Sequence, residues 1–122
     1  MRLAASLALL TLLASGARAG EIDAKALFTE KNCAKCHAAD GTGQTEMGKK
    51  NHSPNFTRPR WQERHSDEEL KKAIVEGVKE EGKVRMPAFR SKLTDEQIEA
   101  LIAYVRAFGE KSGPKKTGQP TE

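Results

Sequence analysis

The chain carries few of the groups that hold small domains together. In 122 residues it has two cysteines, one tryptophan, one tyrosine and four phenylalanines. A single pair of cysteines excludes the dense disulfide frameworks of small secreted domains. Six aromatic side chains make a thin interior, and a core that thin usually needs a metal, a cofactor or a cross-link as well. Acidic and basic residues nearly balance, at 17 against 21, which is too even to argue for nucleic acid. No apolar run is long enough to cross a bilayer. The stretch Leu3 to Leu13 is interrupted by Ser6 and Thr11 and falls short of the roughly 20 residues a spanning helix needs.

That stretch fits a secretory signal peptide over Met1–Ala19. Arg2 supplies the basic start, and Ala17-Arg18-Ala19 is a small-x-small cleavage site. Cleavage after Ala19 starts the mature chain at Gly20 and removes Arg2 and Arg18 with no acid, taking the formal charge from +4 to +2. No cysteine lies near the cleavage site to carry a lipid. These features imply an exported, periplasmic protein without stable membrane insertion, an uncleaved anchor being the alternative.

The rest reads as helices. Asp23 suits an N-cap for a helix from Ala24 to about Asn32, with Leu27 and Phe28 on its apolar face. Residues 38–64 hold Gly41, Gly43, Gly48, Pro54 and Pro59 with no sustained period, which reads as a long loop that wraps something or carries function. Ser66-Asp67-Glu68-Glu69 is a capping box opening a helix that Gly82 terminates. Lys83–Lys92 is a loop holding Met86-Pro87. Thr94-Asp95-Glu96-Gln97 opens the last helix, whose stripe is Ile98, Leu101, Ile102, Val105 and Phe108, with Gly109 as its stop. Residues 109–122 form a polar tail with nothing to bury. No segment reads as a strand, so the class is all-α, with one domain over residues 20–108.

Both cysteines fall in Cys33-Ala34-Lys35-Cys36-His37, the attachment signature of c-type haem. At helical spacing the three side chains share a face. Both thiols can then form thioethers to haem vinyl groups while His37 takes an axial iron position. A thioredoxin-like dithiol wants a βαβ context, and a zinc site wants a second pair of ligands; the sequence offers neither. A plain disulfide leaves His37 and the thin core unexplained.

With Met86-Pro87-Ala88-Phe89 downstream and a closing helix from Leu93 to Leu101, the chain resembles the class I c-type cytochromes of the small bacterial kind over most of residues 23–108. The resemblance implies three to four helices wrapped around one covalent haem. It also implies Met86 as the iron's second axial ligand, since Met1 leaves with the signal and Met47 lies only ten positions past His37. A bis-His site using His52 or His65 is the less favoured reading. Family proteins often offer a proline carbonyl to the ligating histidine's other N–H, which makes Pro54 a candidate although the surrounding Gly-Pro-x-Leu motif matches only at the proline. Trp61 is a candidate for a haem propionate contact, or else covers the haem edge.

A six-coordinate iron held by His37 and Met86 suits outer-sphere electron transfer. The expected function is therefore a soluble monomeric electron carrier between redox protein donors and acceptors, without catalytic residues. The alternatives are a haem-based ligand sensor or peroxidase-like protein and a dedicated subunit of a larger redox complex. Residues 47–62 hold Lys49, Lys50, Arg58 and Arg60, and residues 83–92 hold Lys83, Arg85, Arg90 and Lys92, with no acid in either segment. Because the resemblance places both segments beside the haem, they suggest docking onto an acidic patch of the partner.

Overall fold

The computed structural model describes residues 21–110; the expected signal peptide and most of the polar tail lie outside them. Helix α1 (Ala24–Glu30) begins as expected, with Asp23 Oδ1 accepting from the Ala26 N–H at 3.0 Å. It stops short of Asn32 because Asn32 is left-handed (φ 63°), which ends one helix and starts another, α2 (Cys33–His37). Inside the stretch expected to be loop, two short helices form, α3 (Glu46–Lys50) and α4 (Pro59–Arg64). Thr45 caps α3 by accepting from the Gly48 N–H at 2.8 Å. Pro59 stands at the first turn of α4, where its missing N–H is no loss. Short segments of this kind carry too little periodicity to be seen in a sequence.

Both expected capping boxes are present. Ser66 and Glu69 exchange hydrogen bonds at the start of α5 (Asp67–Glu76), and Thr94 and Gln97 do so at the start of α6 (Asp95–Glu110). Two boundaries differ from expectation. α5 ends at Gly77 (φ 75°) rather than Gly82. α6 runs through Gly109, which is there because the Gln62 side chain lies where a Cβ would stand. The expectation of no strand is also overturned. After Gly77 the chain forms an antiparallel hairpin, β1 (Val78–Glu80) and β2 (Lys83–Met86). Glu81 and Gly82 both take positive φ, 50° and 75°, as a two-residue turn matched to strand twist requires. The sequence hides this hairpin because Glu-Gly is not a strong turn signal and each strand holds only one valine.

With six helices among the described residues, three of them five or six residues long, the chain keeps the helical class with more, shorter helices than the three or four expected. α6 packs against α1, α4 and α5, and all five residues of its expected stripe are buried. Phe28 of α1 meets Tyr104 edge-on at 5.2 Å and Phe108 at 5.8 Å. Polar groups tie α4 to α6. Gln62 Nε2 donates to Phe56 O and Val105 O at 2.8 and 3.0 Å. Arg106 Nη1 donates to Gln62 O and Oε1 at 2.9 and 2.8 Å, its Nη2 to His65 O at 2.6 Å, and its Nε to Asp67 Oδ1 at 2.8 Å.

Arg106→Ala strands two carbonyls and the Gln62 amide oxygen in a half-buried corner. It should lower stability by about 2–4 kcal/mol, since truncating a charged hydrogen-bonding partner costs more than a neutral bond contributes. Lys71→Ala, which removes an exposed pair with Glu99 at 3.3 Å, should cost less than about 1 kcal/mol. Chemical denaturation of the two haem-loaded variants compares them directly.

Candidate functional site

α2 presents Cys33, Cys36 and His37, and α3 is seated closely against it. A Cβ on Gly48 would run into the carbonyl oxygens of Cys36 and Gly43, so only glycine allows this approach. The Thr45 hydroxyl donates to Lys35 O at 2.6 Å, and Asn51 Nδ2 lies 3.9 Å from Cys36 Sγ. Cys33 and Cys36 are free thiols, and burial pushes the Cys33 thiol above its ordinary value.

The His37 ring stacks on Phe56, with centroids 4.5 Å apart and planes 21° apart, and tilts against Phe28 at 6.3 Å. Burial lowers its pKa to about 4, so the imidazole is neutral at physiological pH, the form that can ligate a metal. Its Nδ1 is buried and makes no hydrogen bond. The expected bond from that nitrogen to Pro54 O is therefore not formed. The carbonyls of Ser53 and Pro54 instead pack against Gly43, within 3 Å of where a Cβ there would stand.

Met86 comes from the other half of the chain. It ends β2, half-buried and packed against the core. Gly77 makes room for it, since a Cβ there would run into Met86 O and Ala88 N. The segment that follows is pinned to the end of α5, Phe89 N–H donating to Ile74 O at 2.9 Å and Arg90 N–H to Val75 O at 3.2 Å.

The two halves enclose one mostly apolar cavity of about 630 Å³, lined by Cys33, Cys36, His37 and Met86 together with Pro54 and Trp61. Among the described residues, seven of the eleven buried apolar side chains also line it, Phe28, Phe56, Ile74 and Leu101 among them. Every residue expected at the site therefore reaches the same space. So do the less favoured Met47, His52 and His65, in other circumstances. Met47 is 49% exposed. His52 Nδ1 lies 2.9 Å from Glu80 Oε2, and His65 lies 3.3 Å from Glu69 while its ring tilts against Trp61 at 4.6 Å. Sequence reasoning missed Phe56, Gly48 and Gly77. Phe56 lies two residues after a proline in an irregular stretch, and a glycine's neighbours across a fold leave no mark in its own segment.

The cytochrome c family model matches residues 22–108. This chain belongs to the cytochrome c family. It is similar to the cbb3-type cytochrome c oxidase subunit FixP of Rhizobium meliloti (strain 1021), 31% identical over 85 residues that make up 70% of this chain and 26% of FixP. It is likewise similar to FixP of Bradyrhizobium diazoefficiens, 35% identical over 83 residues, 68% of this chain and 26% of that one. The chain thus spans about a quarter of the length of these curated relatives. Among solved structures it is similar to the KustC0563 c-type cytochrome, with a TM-score of 0.63 and 36% identity, covering 71% of this chain and 98% of the other.

Members of this family hold haem c covalently and carry electrons, and the residues present fit that group. Two cysteines not joined in a disulfide and a neutral imidazole line an apolar cavity within the 300–1,000 Å³ range of cofactor sites. Left to the chain alone, 630 Å³ would cost at most about 15 kcal/mol at roughly 24 cal/mol per Å³, the whole stability of an ordinary domain. The double variant Cys33→Ala, Cys36→Ala, expressed where haem cannot be attached, should therefore show no cooperative thermal transition. A native-sized calorimetric transition in that material would contradict this.

Proposed function

We propose that this chain is a periplasmic electron carrier that holds haem c through Cys33 and Cys36, with His37 and Met86 at the two axial positions of the iron. The observation carrying this reading is that all four residues, drawn from segments some 50 positions apart, line one apolar cavity. When bound, the haem supplies a one-electron iron couple whose potential a thioether ligand raises. The chain does the remaining work. Burial among Phe28 and Phe56 keeps the His37 imidazole neutral and fixes its plane. The apolar lining keeps water away, and two protein ligands leave the iron no open position for a substrate. That favours electron transfer over ligand sensing or peroxide chemistry.

The similarity to KustC0563 over 98% of that chain supports a single-domain carrier. The similarity to FixP supports a second reading, a cytochrome subunit of a larger oxidase, and co-purification with oxidase subunits would favour it. Residues Met1–Ala19 fit the export of either. For docking, Lys49, Lys50, Arg58, Arg60, Lys83, Arg90 and Lys92 are exposed in or beside the segments that line the cavity, which suits an acidic patch on the partner. Arg85 drops out of that ring, because its side chain is turned inward against Lys50 O and Glu80.

Met86→Ala should leave haem covalently attached, abolish the far-red absorption of ferric iron bonded to a thioether, lower the potential and admit carbon monoxide to the reduced protein. Met47→Ala should do none of these, and the reverse pattern would overturn the ligand assignment. Steering charges act on association rate and are screened over about 8 Å at physiological salt. Electron transfer to the physiological partner should thus slow as ionic strength rises, and Lys83→Glu with Arg90→Glu should slow it further at low salt only. A rate that is flat with salt would mean apolar docking.

A further inference from the structure

Arg85 directly precedes Met86, and its side chain is only 18% exposed although it belongs to a surface hairpin. Its Nη1 donates to Lys50 O, 35 residues away, at 3.0 Å. Its Nε lies 3.3 Å from Glu80 Oε2, close enough for an ion pair though not aligned as a hydrogen bond. The same oxygen meets His52 Nδ1 at 2.9 Å, and that hydrogen bond is the main reason the Glu80 carboxyl is held below its usual range. One carboxylate oxygen therefore joins a side chain from β2 to a side chain from the turn after α3. The α3 end is firm, since Gly48 and Thr45 seat that helix on the Cys36 segment. The hairpin end has less of its own support, because an isolated two-stranded ribbon is marginal in water.

We infer that Arg85, Glu80 and His52 form a clasp that positions Met86, holding the hairpin down on the haem site and slowing departure of the thioether from iron. This rests on Met86 being an axial ligand. The contacts run without a break from Cys36 through α3 to Lys50 O and His52, and on through Glu80 and Arg85 to Met86. They join the segment carrying the attachment motif to the segment carrying the second ligand. Exposed ion pairs contribute little to stability. This one differs in that its guanidinium is largely buried and its partner is a main-chain carbonyl of another element. An arginine suits the position because its planar fork can face Lys50 O and Glu80 together, which a lysine point charge cannot.

The test uses the haem-loaded ferric protein with imidazole as an added ligand, which binds only after Met86 leaves the iron. The far-red band is read first in Met86→Ala; its persistence there would overturn the ligand assignment itself, apart from anything the clasp does. With that band lost as expected, Glu80→Gln and Arg85→Lys should each speed imidazole binding about tenfold, equivalent to about 1.4 kcal/mol. His52→Ala should speed it less, and Lys79→Ala, exposed on the same hairpin, should match the parent. Arg106→Ala should lower the melting temperature without changing the imidazole rate. Parent-like rates in both Glu80→Gln and Arg85→Lys would overturn the clasp. An equal rise in Arg106→Ala would also overturn it, by showing general loosening instead of release at one point.

Discussion

A cavity of about 630 Å³ has to be enclosed by a short chain with eleven buried apolar side chains among the described residues, seven of which line the cavity as well as packing on the others. The interior is thus a shell, and the remaining features serve to close it. Glycines stand where backbones must touch, Gly48 beneath Cys36 and Gly77 beneath Met86. Polar side chains act as rivets where apolar packing is short, as in the Gln62 and Arg106 bonds between α4 and α6. No polar or charged residue is fully buried among the described residues, which fits a core whose low dielectric is needed at the site.

The two sides of that shell are held differently. On the attachment side, one short helix carries both thiols and the imidazole, backed by aromatic rings and by a second helix seated against it. On the methionine side, the ligand candidate ends a hairpin held by main-chain bonds from the residues after it and by Arg85 before it. A covalently fixed side needs little more than the right spacing. A side that offers only one methionine sulfur depends on how well its loop is fastened.

The relatives frame the same design at two scales. FixP is about four times as long as the region it shares with this chain, whereas KustC0563 is matched almost end to end. A shell that closes on its own cofactor works as a whole protein or as a part of one, because the contacts that close it are internal. The difference between carrier and subunit lies in what meets the outer surface.

The sequence by itself determined the class, both capping boxes, the buried stripe of α6 and the Cys-x-x-Cys-His run. These signals are local, since a Cys-x-x-Cys-His run, a capping box or a helical stripe is complete within one or two turns. Tertiary structure alone decided what depends on distant neighbours. It turned Val78–Met86 into a hairpin once Gly77 had to let Met86 pass, set the Phe56 ring against His37, left Pro54 O beside Gly43, and withdrew Arg85 from the basic ring to bind Lys50 O. A cation reads the same in sequence whether its charge faces a partner or its own backbone, and only the burial of its side chain tells the two apart.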